Sequence, residues 1–287
     1  VLALGGIAAA VAQEKGVAGP AGSFVIDDAA TAVARSLMAG ERKAVLLGNA
    51  AAHHAQATQL LALANWIGEH TGATVGYLTE AANTVGAQFV GAHPVKGGLN
   101  AAQMLSGGLK AVLLLNNEPV HDSSVGARAT DALSGAEMVV TLSPFKANME
   151  FSDVLLPIAP FTETSGSFIN AEGRLQSFHA VVRPLGDTRP AWKVLRVLAN
   201  MLEIPGFDFE TSQDVLVRAT NAAPGAFSQI DATQLSNAVT GGVTASVSGA
   251  VGEPVVASIY QLDGLVRRSP SLQLTADARM AREEVAA

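Results

Sequence analysis

Residues 110–116, KAVLLLN, form an uninterrupted apolar run of strand length, and residues 43–48, KAVLLG, form a second run of the same kind. Continuous apolar runs are typical of central parallel strands, because such strands are covered on both faces. Three more strands are expected at residues 73–78, 137–142 and 153–157. Helical patterns lie between these runs, so the sequence predicts an α/β fold with Rossmann-like layers around a parallel sheet.

Helical periodicity, with its start and stop residues, predicts five helices. They are expected at residues 28–38, 49–70, 100–106, 123–133 and 189–203. A short strand is expected at 23–28, a long loop at 79–98, and a loop with a hairpin within 160–190. The helix at 189–203 is amphipathic, and its apolar stripe is predicted to be buried. The stripe consists of Val194, Leu195, Val197, Leu198, Met201 and Leu202.

The length of 287 residues fits one large domain or two ordinary ones. We predict an α/β domain over residues 1–204 and an irregular C-terminal extension over 205–287. A Gly- and Ser-rich linker is expected near 240–252. Because the chain opens at Val1 in mid-helix pattern, it is expected to be a piece of something longer.

The composition excludes several classes of function. With 18 basic and 25 acidic residues the net charge is −7, which argues against nucleic-acid binding. The absence of cysteine excludes disulfides, thiolate metal sites and cysteine-ligated iron–sulfur clusters within this chain. Charged residues make up 15%, against about 25% in a typical domain. This indicates either burial against partners or a bias toward alanine and glycine. No apolar run reaches the length of a membrane span, so no membrane insertion is expected.

Catalytic and metal-binding patterns are missing from the sequence. The six histidines show no metallohydrolase spacing, and neither a glycine-rich phosphate fingerprint nor G-x-S-x-G is present. No catalytic residue and no metal ligand is therefore predicted. In parallel α/β sheets the ligand crevice is formed by the loops that follow the strands. Here these loops carry Asn49, residues 79–98, Asn117 with Glu118, and Ser143. Asp122 is expected to cap the helix after it.

The densest polar constellation is ETSGSFINAEGR, residues 163–174. It offers hydroxyls, an amide, two carboxylates, an arginine and two glycines that can adopt positive φ. Its candidate residues are Glu163, Gly166, Ser167, Asn170, Gly173 and Arg174. The segment either binds a polar ligand or satisfies itself as a turn network, with Arg174 paired to Glu163 or Glu172. The residues alone leave both alternatives open.

This constellation and its surroundings resemble the molybdopterin oxidoreductase superfamily, which includes formate dehydrogenase and DMSO reductase. The resemblance rests on FSDVLLP at 151–157, on ETSGSFINAEGRLQ at 163–176, on the Asn117-Glu118-Pro119 turn and on the RPAWKVL helix at 189–195. It runs from about residue 43 to residue 203. It implies the α/β fold of that superfamily, with loops that held a cofactor's nucleotide half.

Within the superfamily the sequence is most similar to the large iron–sulfur subunit of bacterial NADH-quinone oxidoreductase (respiratory complex I). The tail from Ile259 to Arg279, with Arg267-Arg268 at its centre, also resembles that subunit's C-terminus. The resemblance implies a scaffold that has lost its molybdenum cofactor. Iron–sulfur clusters are then expected in an N-terminal part absent here, and no cofactor is expected in this fragment.

The same resemblance implies other peripheral-arm subunits as partners and a peripheral location on the cytoplasmic face of the bacterial inner membrane. The candidate residues would be relics of a cofactor crevice. Two alternatives remain. In the first, the chain is part of an active molybdopterin enzyme of the formate dehydrogenase type, and residues 116–119 and 163–174 bind the cofactor's nucleotide half. In the second, the chain is a separate α/β ligand-binding protein.

Overall fold

The computed structural model describes residues 1–52, 54, 56–79, 81–220, 236–238 and 258–280. These residues fall into two compact units. The first unit contains the described residues of 1–85, with 170–173 and 236–238, and the second contains 86–169, 174–220 and 258–280. Since these units are grouped by contact, the division at residues 204 and 205 stays a prediction.

The first unit packs four helices beside a pair of parallel strands. Its elements are α1 (Leu2–Lys15), α2 (Asp28–Ala39), β1 (Ala44–Leu47), α3 (Asn49–Ala52), α4 (Ala57–Thr71) and β2 (Thr74–Tyr77). Asp27 is the N-cap of α2, and its side chain accepts a hydrogen bond from the Ala30 amide. Ala8, Leu63 and Ile67 form a fully buried cluster between α1 and α4.

The strand predicted at residues 23–28 is wrong. The segment crosses α1 instead of pairing with a strand. The Phe24 ring lies where a Cβ on Gly5 would stand, 2.1 Å away, and the Val25 carbonyl lies 2.7 Å from the same position on Gly6. Phe24 packs against the Ala8 cluster. The Phe24 ring and the Val25 backbone therefore lie against a part of α1 that has no side chains.

Two further expectations of the first half of the chain need correction. The predicted helix at 49–70 is divided into α3 and α4, and the His54 Nδ1 atom accepts a hydrogen bond from the Gln56 amide at the break. The region predicted as a loop at 79–98 contains a helix, α5 (Thr84–Phe89). Both segments contain small residues, and the sequence pattern of these residues does not distinguish a helix from a loop.

The second unit is built on a three-stranded parallel sheet with strand order β3-β4-β5. Its first elements are α6 (Ala101–Met104), β3 (Ala111–Leu115), α7 (Pro119–Asp122), α8 (Arg128–Ser134), β4 (Met138–Ser143) and β5 (Val154–Pro157). One sheet face packs on a core of Leu133, Val139 and Phe151. The α/β fold with parallel strands is thereby confirmed. The predicted helix at 123–133 begins only at Arg128.

A hairpin, two helices and a compact tail complete the second unit. They are β6 (Gly166–Ile169), β7 (Leu175–Phe178), α9 (Ala191–Met201), α10 (Ser212–Thr220), α11 (Ile259–Leu262) and α12 (Pro270–Gln273). Strands β6 and β7 are antiparallel, which confirms the expected hairpin. The buried stripe predicted for α9 is only partly formed, because Val197, Met201 and Leu202 are exposed. The linker expected at 240–252 lies outside the described residues.

Two features are absent from the described residues. No helix in this part of the chain is long and apolar enough to cross a membrane. Over the same residues, no group of three histidine, aspartate or glutamate side chains is arranged to hold a metal ion.

Candidate functional site

The loop that follows β3 is shaped by left-handed backbone and by hydrogen bonds to a neighbouring loop. Asn116 has a φ of 47°, and its amide donates to the carbonyl of Leu142 over 2.8 Å. The Asn117 carbonyl accepts a 2.9 Å hydrogen bond from the Asn148 side chain. Asparagine tolerates this backbone region better than most residues, because its short polar side chain hydrogen-bonds locally. The chain therefore turns sharply at the carboxyl end of β3.

Glu118 then lies beside two arginines from the C-terminal tail. Its Oε1 atom is 2.8 Å from Nη2 of Arg267, and its Oε2 atom accepts a 2.8 Å hydrogen bond from Nη2 of Arg268. Nη1 of Arg267 also lies 3.3 Å from Oδ1 of Asp122. The side chains of Arg267 and Glu118 are 11% and 14% exposed. We call Arg267, Arg268, Glu118 and Asp122 the arginine clip.

The tail is folded so that it presents both arginines to this loop. Nη1 of Arg267 donates to the carbonyls of Gln261 and Leu262, and the Gln273 side chain donates to the carbonyls of Tyr260 and Val266. The guanidinium of Arg268 lies 4.2 Å from the centroid of the Phe145 ring, in cation–π geometry. Phe145 follows β4, so the tail contacts the loops after two adjacent strands.

The electrostatics of the clip favour an ionised Glu118. Burial alone raises the pKa of this carboxyl. Hydrogen bonds from Arg268 and Arg267, together with their positive charges, outweigh burial and lower the pKa below its ordinary value. Asp122 accepts a 2.7 Å hydrogen bond from the Glu118 amide through Oδ2. The prediction that Asp122 caps the following helix is therefore wrong, because its oxygens are directed backward along α7 and toward the tail.

The second polar constellation, residues 163–174, surrounds the β6–β7 hairpin. The Asn170 side chain accepts from the Glu172 amide at 3.0 Å, and the Gly173 amide donates to the Asn170 carbonyl at 2.9 Å. The Ser167 and Ser177 hydroxyls lie 2.8 Å apart across the hairpin. Glu163 accepts a 2.9 Å hydrogen bond from the Leu185 amide. These bonds support the interpretation of the segment as a turn network.

The two glycines of this constellation serve different purposes. Gly173 has a φ of 79°, which confirms the expected left-handed turn position. Gly166 lies in β6 and is not among the residues with positive φ. The expectation that Gly166 adopts a positive φ is therefore wrong. A Cβ there would stand 2.7 Å from the Phe178 ring, so a larger residue forces that ring to shift.

The structure brings the predicted candidates together only in part. Asn117 and Glu118 share the loop after β3, while Asn49 begins α3 in the first unit. Sequence reasoning missed Phe145 and Asn148 as contributors to the loop, and it assigned Asp122 to the wrong helix end. It singled out Arg267 and Arg268 as part of a resemblance, but no local signal assigns a partner 150 residues away. The functional role of all these candidates stays a prediction.

Comparison with known proteins places this fold in a family. A model of the molybdopterin oxidoreductase family matches residues 28–201, which is more than half of the chain. The chain belongs to the molybdopterin oxidoreductase family.

Individual relatives match over short segments. A Bacillus subtilis protein named "Probable oxidoreductase YjgC" is 37% identical over 75 residues, which are 26% of this chain and 8% of that protein. A Staphylococcus aureus (strain bovine RF122 / ET3-1) protein named "Putative formate dehydrogenase" is 42% identical over 59 residues, 21% of this chain and 6% of that protein. The chain thus matches less than a tenth of the length of either relative.

The family implies a molybdopterin cofactor, whose nucleotide half is a polar ligand. A dinucleotide requires polar groups that can turn toward it. Glu118 is held by two arginines, Glu163 by the Leu185 amide and Ser167 by Ser177. Of these three, Glu118 does not fit the cofactor in the structure described, because arginines bind both of its carboxylate oxygens. The Glu163 carboxylate and the Ser167 hydroxyl keep acceptor positions that a ligand can still use. We derive no chemical step through the cofactor.

Proposed function

We propose that this chain is a non-catalytic scaffold portion of the large iron–sulfur subunit in the peripheral arm of a bacterial NADH-quinone oxidoreductase (complex I). The arginine clip is the observation that carries the proposal. The tail whose sequence resembles the C-terminus of that subunit supplies Arg267 and Arg268, and both bind Glu118 in the loop after β3. Because Glu118 of the predicted crevice loop is bound by the protein's own tail, the loop supports a structural role for this chain.

The remaining parts of the proposal concern what surrounds the chain. We propose that electrons pass through iron–sulfur clusters in another part of the full subunit, and that this portion carries no cofactor. Its partners are other peripheral-arm subunits, and it binds no nucleic acid. It lies on the cytoplasmic face of the inner membrane, held there by partners and without inserting into the membrane.

A second candidate function is supported by the comparisons. Relatives named as formate dehydrogenases match 59 residues at 42% identity. Under this alternative the chain belongs to an active molybdopterin-dependent oxidoreductase. Residues 116–119 and 163–174 would then face the nucleotide half of the cofactor, which requires the arginine clip to open.

Deletion of the gene in its source organism distinguishes the two functions. Membranes from the wild type and the deletion strain are assayed for NADH-to-quinone and formate-to-acceptor electron transfer. We expect the deletion to abolish the NADH activity and to leave formate oxidation unchanged. Loss of formate oxidation with normal NADH activity would overturn the scaffold proposal. The full-length protein, purified with its partners, should carry no molybdenum, and stoichiometric molybdenum would support the enzyme.

Arg174→Ala separates a structural role from a catalytic one within the assembled complex. For a scaffold, we expect less assembled complex in the membrane and unchanged turnover per assembled complex. Immunoblotting of the native complex measures the amount, and NADH oxidation divided by that amount is the turnover. A normal amount of complex with slower turnover would contradict the scaffold role of this segment.

A further inference from the structure

The connection between β7 and α9 has a fixed backbone and exposed apolar side chains. The amides of Val181 and Val182 donate to the Thr162 carbonyl at 2.9 and 3.4 Å, and the Leu185 amide donates to Glu163. Nevertheless Val181 is 82% exposed and Leu185 is 78% exposed. Because the backbone is already held by hydrogen bonds, binding through these side chains would cost little additional ordering.

The first turn of helix α9 lines the same depression as Arg183, and the helix also exposes apolar side chains. Lys193, Val197 and Met201 are spaced by four residues and therefore share one face of the helix. Val197 and Met201 are both exposed on that face, although the apolar pattern predicts burial there. Clusters of exposed apolar side chains with a polar rim are typical of protein-interaction sites.

Cations surround the depression between this loop and the start of α9. Its volume is about 450 Å³, and its lining includes Arg183, Arg189 and Lys193. None of these three cations forms an ion pair with any residue that the structure describes. Glu163 also lines the depression, but its carboxylate accepts from the Leu185 amide. With three cations and one carboxylate in its lining, the depression is basic on a chain whose net charge is −7.

We propose that this surface binds an acidic segment of a different protein. The docking surface consists of Val181, Arg183, Leu185, Arg189, Lys193 and Val197. Its three cations select a partner segment rich in aspartate and glutamate, because complementary charges steer and specify association. Its apolar side chains require an apolar anchor in the same segment. The inference does not depend on which of the two candidate functions holds.

Photo-crosslinking in living cells tests this proposal on the full-length protein. Leu185 is replaced by the photoreactive residue p-benzoylphenylalanine, and Val25 of the first unit, which is 84% exposed, is replaced in a control strain. We expect a light-dependent adduct at position 185 that is weak or missing at position 25. Mass spectrometry of the adduct should identify a peptide of another protein that contains several aspartates or glutamates beside an apolar residue.

Charge reversal supplies the second measurement. With R183E and K193E added, the adduct yield should fall roughly tenfold, because like charges across an interface disfavour association. R183Q with K193Q should produce an intermediate yield, and the matched exposed pair R42E with K110E should leave the yield unchanged. Equal immunoblot levels of all variants show that a lower adduct yield does not come from loss of the protein.

The proposal is overturned by an adduct no stronger than at Val25, or by one confined to this chain or its second copy. A crosslinked peptide without acidic residues, or a yield that charge reversal does not change, would also overturn it.

Discussion

The loop after β3 and the β6–β7 hairpin carry similar polar residues, but the partners of these residues lie at different distances along the chain. Glu118 pairs with Arg267 and Arg268, about one half of the chain away. In the hairpin, Asn170 bonds a residue two positions on, and Ser167 bonds Ser177. The hydrogen bonds of the hairpin need no segment that is distant in sequence. The loop after β3 requires the tail to dock.

Both segments are predicted to be loops of a cofactor crevice, yet they stabilise different levels of the structure. The arginine clip joins the C-terminal tail to the carboxyl ends of β3 and β4, so it stabilises tertiary structure. The hairpin bonds stabilise a local turn, as side-chain-to-backbone bonds of asparagine commonly do. Substitutions in the clip should therefore detach the tail, whereas substitutions in the hairpin should disturb only the hairpin.

Removal of Arg267 tests the contact between the tail and the loop after β3, and it has the largest expected effect on the free energy of unfolding. Arg267→Ala leaves Glu118 and Asp122 with less compensation in a mostly buried site, so we expect a loss of about 2–3 kcal/mol. Urea unfolding of the purified chain measures it. The exposed pair of Arg35 and Glu14 is the matched control, because Arg35 is 68% exposed. Arg35→Ala should cost below about 1 kcal/mol, and an equal loss in both variants would contradict the special role of the clip.

Gly166 tests the packing of the hairpin. Because a Cβ at this position would stand 2.7 Å from the Phe178 ring, Gly166→Ala forces the ring to move. We expect a loss of about 1–2 kcal/mol in the free energy of unfolding. Gly48→Ala is the control, since nothing lies within 4 Å of its Cβ position and its φ is not positive. If the two alanine variants are equally stable, the close packing on Phe178 is not a constraint.

Gly173 tests the turn of the hairpin and should have a smaller effect. At a φ of 79°, an alanine is strained by about 1 kcal/mol. Gly173→Asn should recover part of this loss, because asparagine tolerates left-handed backbone better. Thermal unfolding compares the three proteins. An alanine variant as stable as the wild type would show that the turn relaxes without cost.

The pH dependence of the clip is the smallest effect. The lowered pKa of Glu118 means that its stabilising contribution is present above the ordinary glutamate pKa of about 4.3 and is lost as the pH falls through the lowered value. We expect Glu118→Gln to be less stable than the wild type near neutral pH, with the difference vanishing in the acid range. Urea unfolding from pH 7 to pH 3 measures both curves. A difference that stays constant with pH would contradict the ionised clip.

The strands were predictable because their signal is local. The apolar runs at 43–48 and 110–116 contain β1 and β3 as the structure has them, and Asn100 caps α6 with a capping box. The segment at residues 23–28 failed for a physical reason. Its apolar residues resemble a strand, but Phe24 fills the space above Gly5 of α1, and sequence patterns do not contain that contact. The exposed face of α9 shows the same limit, since periodicity identifies an apolar stripe without showing what covers it.

The sequence by itself determined the α/β class, the parallel strands, the hairpin and the family, because these depend on short-range patterns of side chains. Only the tertiary structure decided that Glu118 is bound by Arg267 and Arg268, that Asp122 faces the tail, and that Val197 and Met201 stay exposed. The physical reason is distance along the chain. Charges and apolar surfaces find their partners through folding in three dimensions, and the same arginine could pair with any of many carboxylates until the fold selects one.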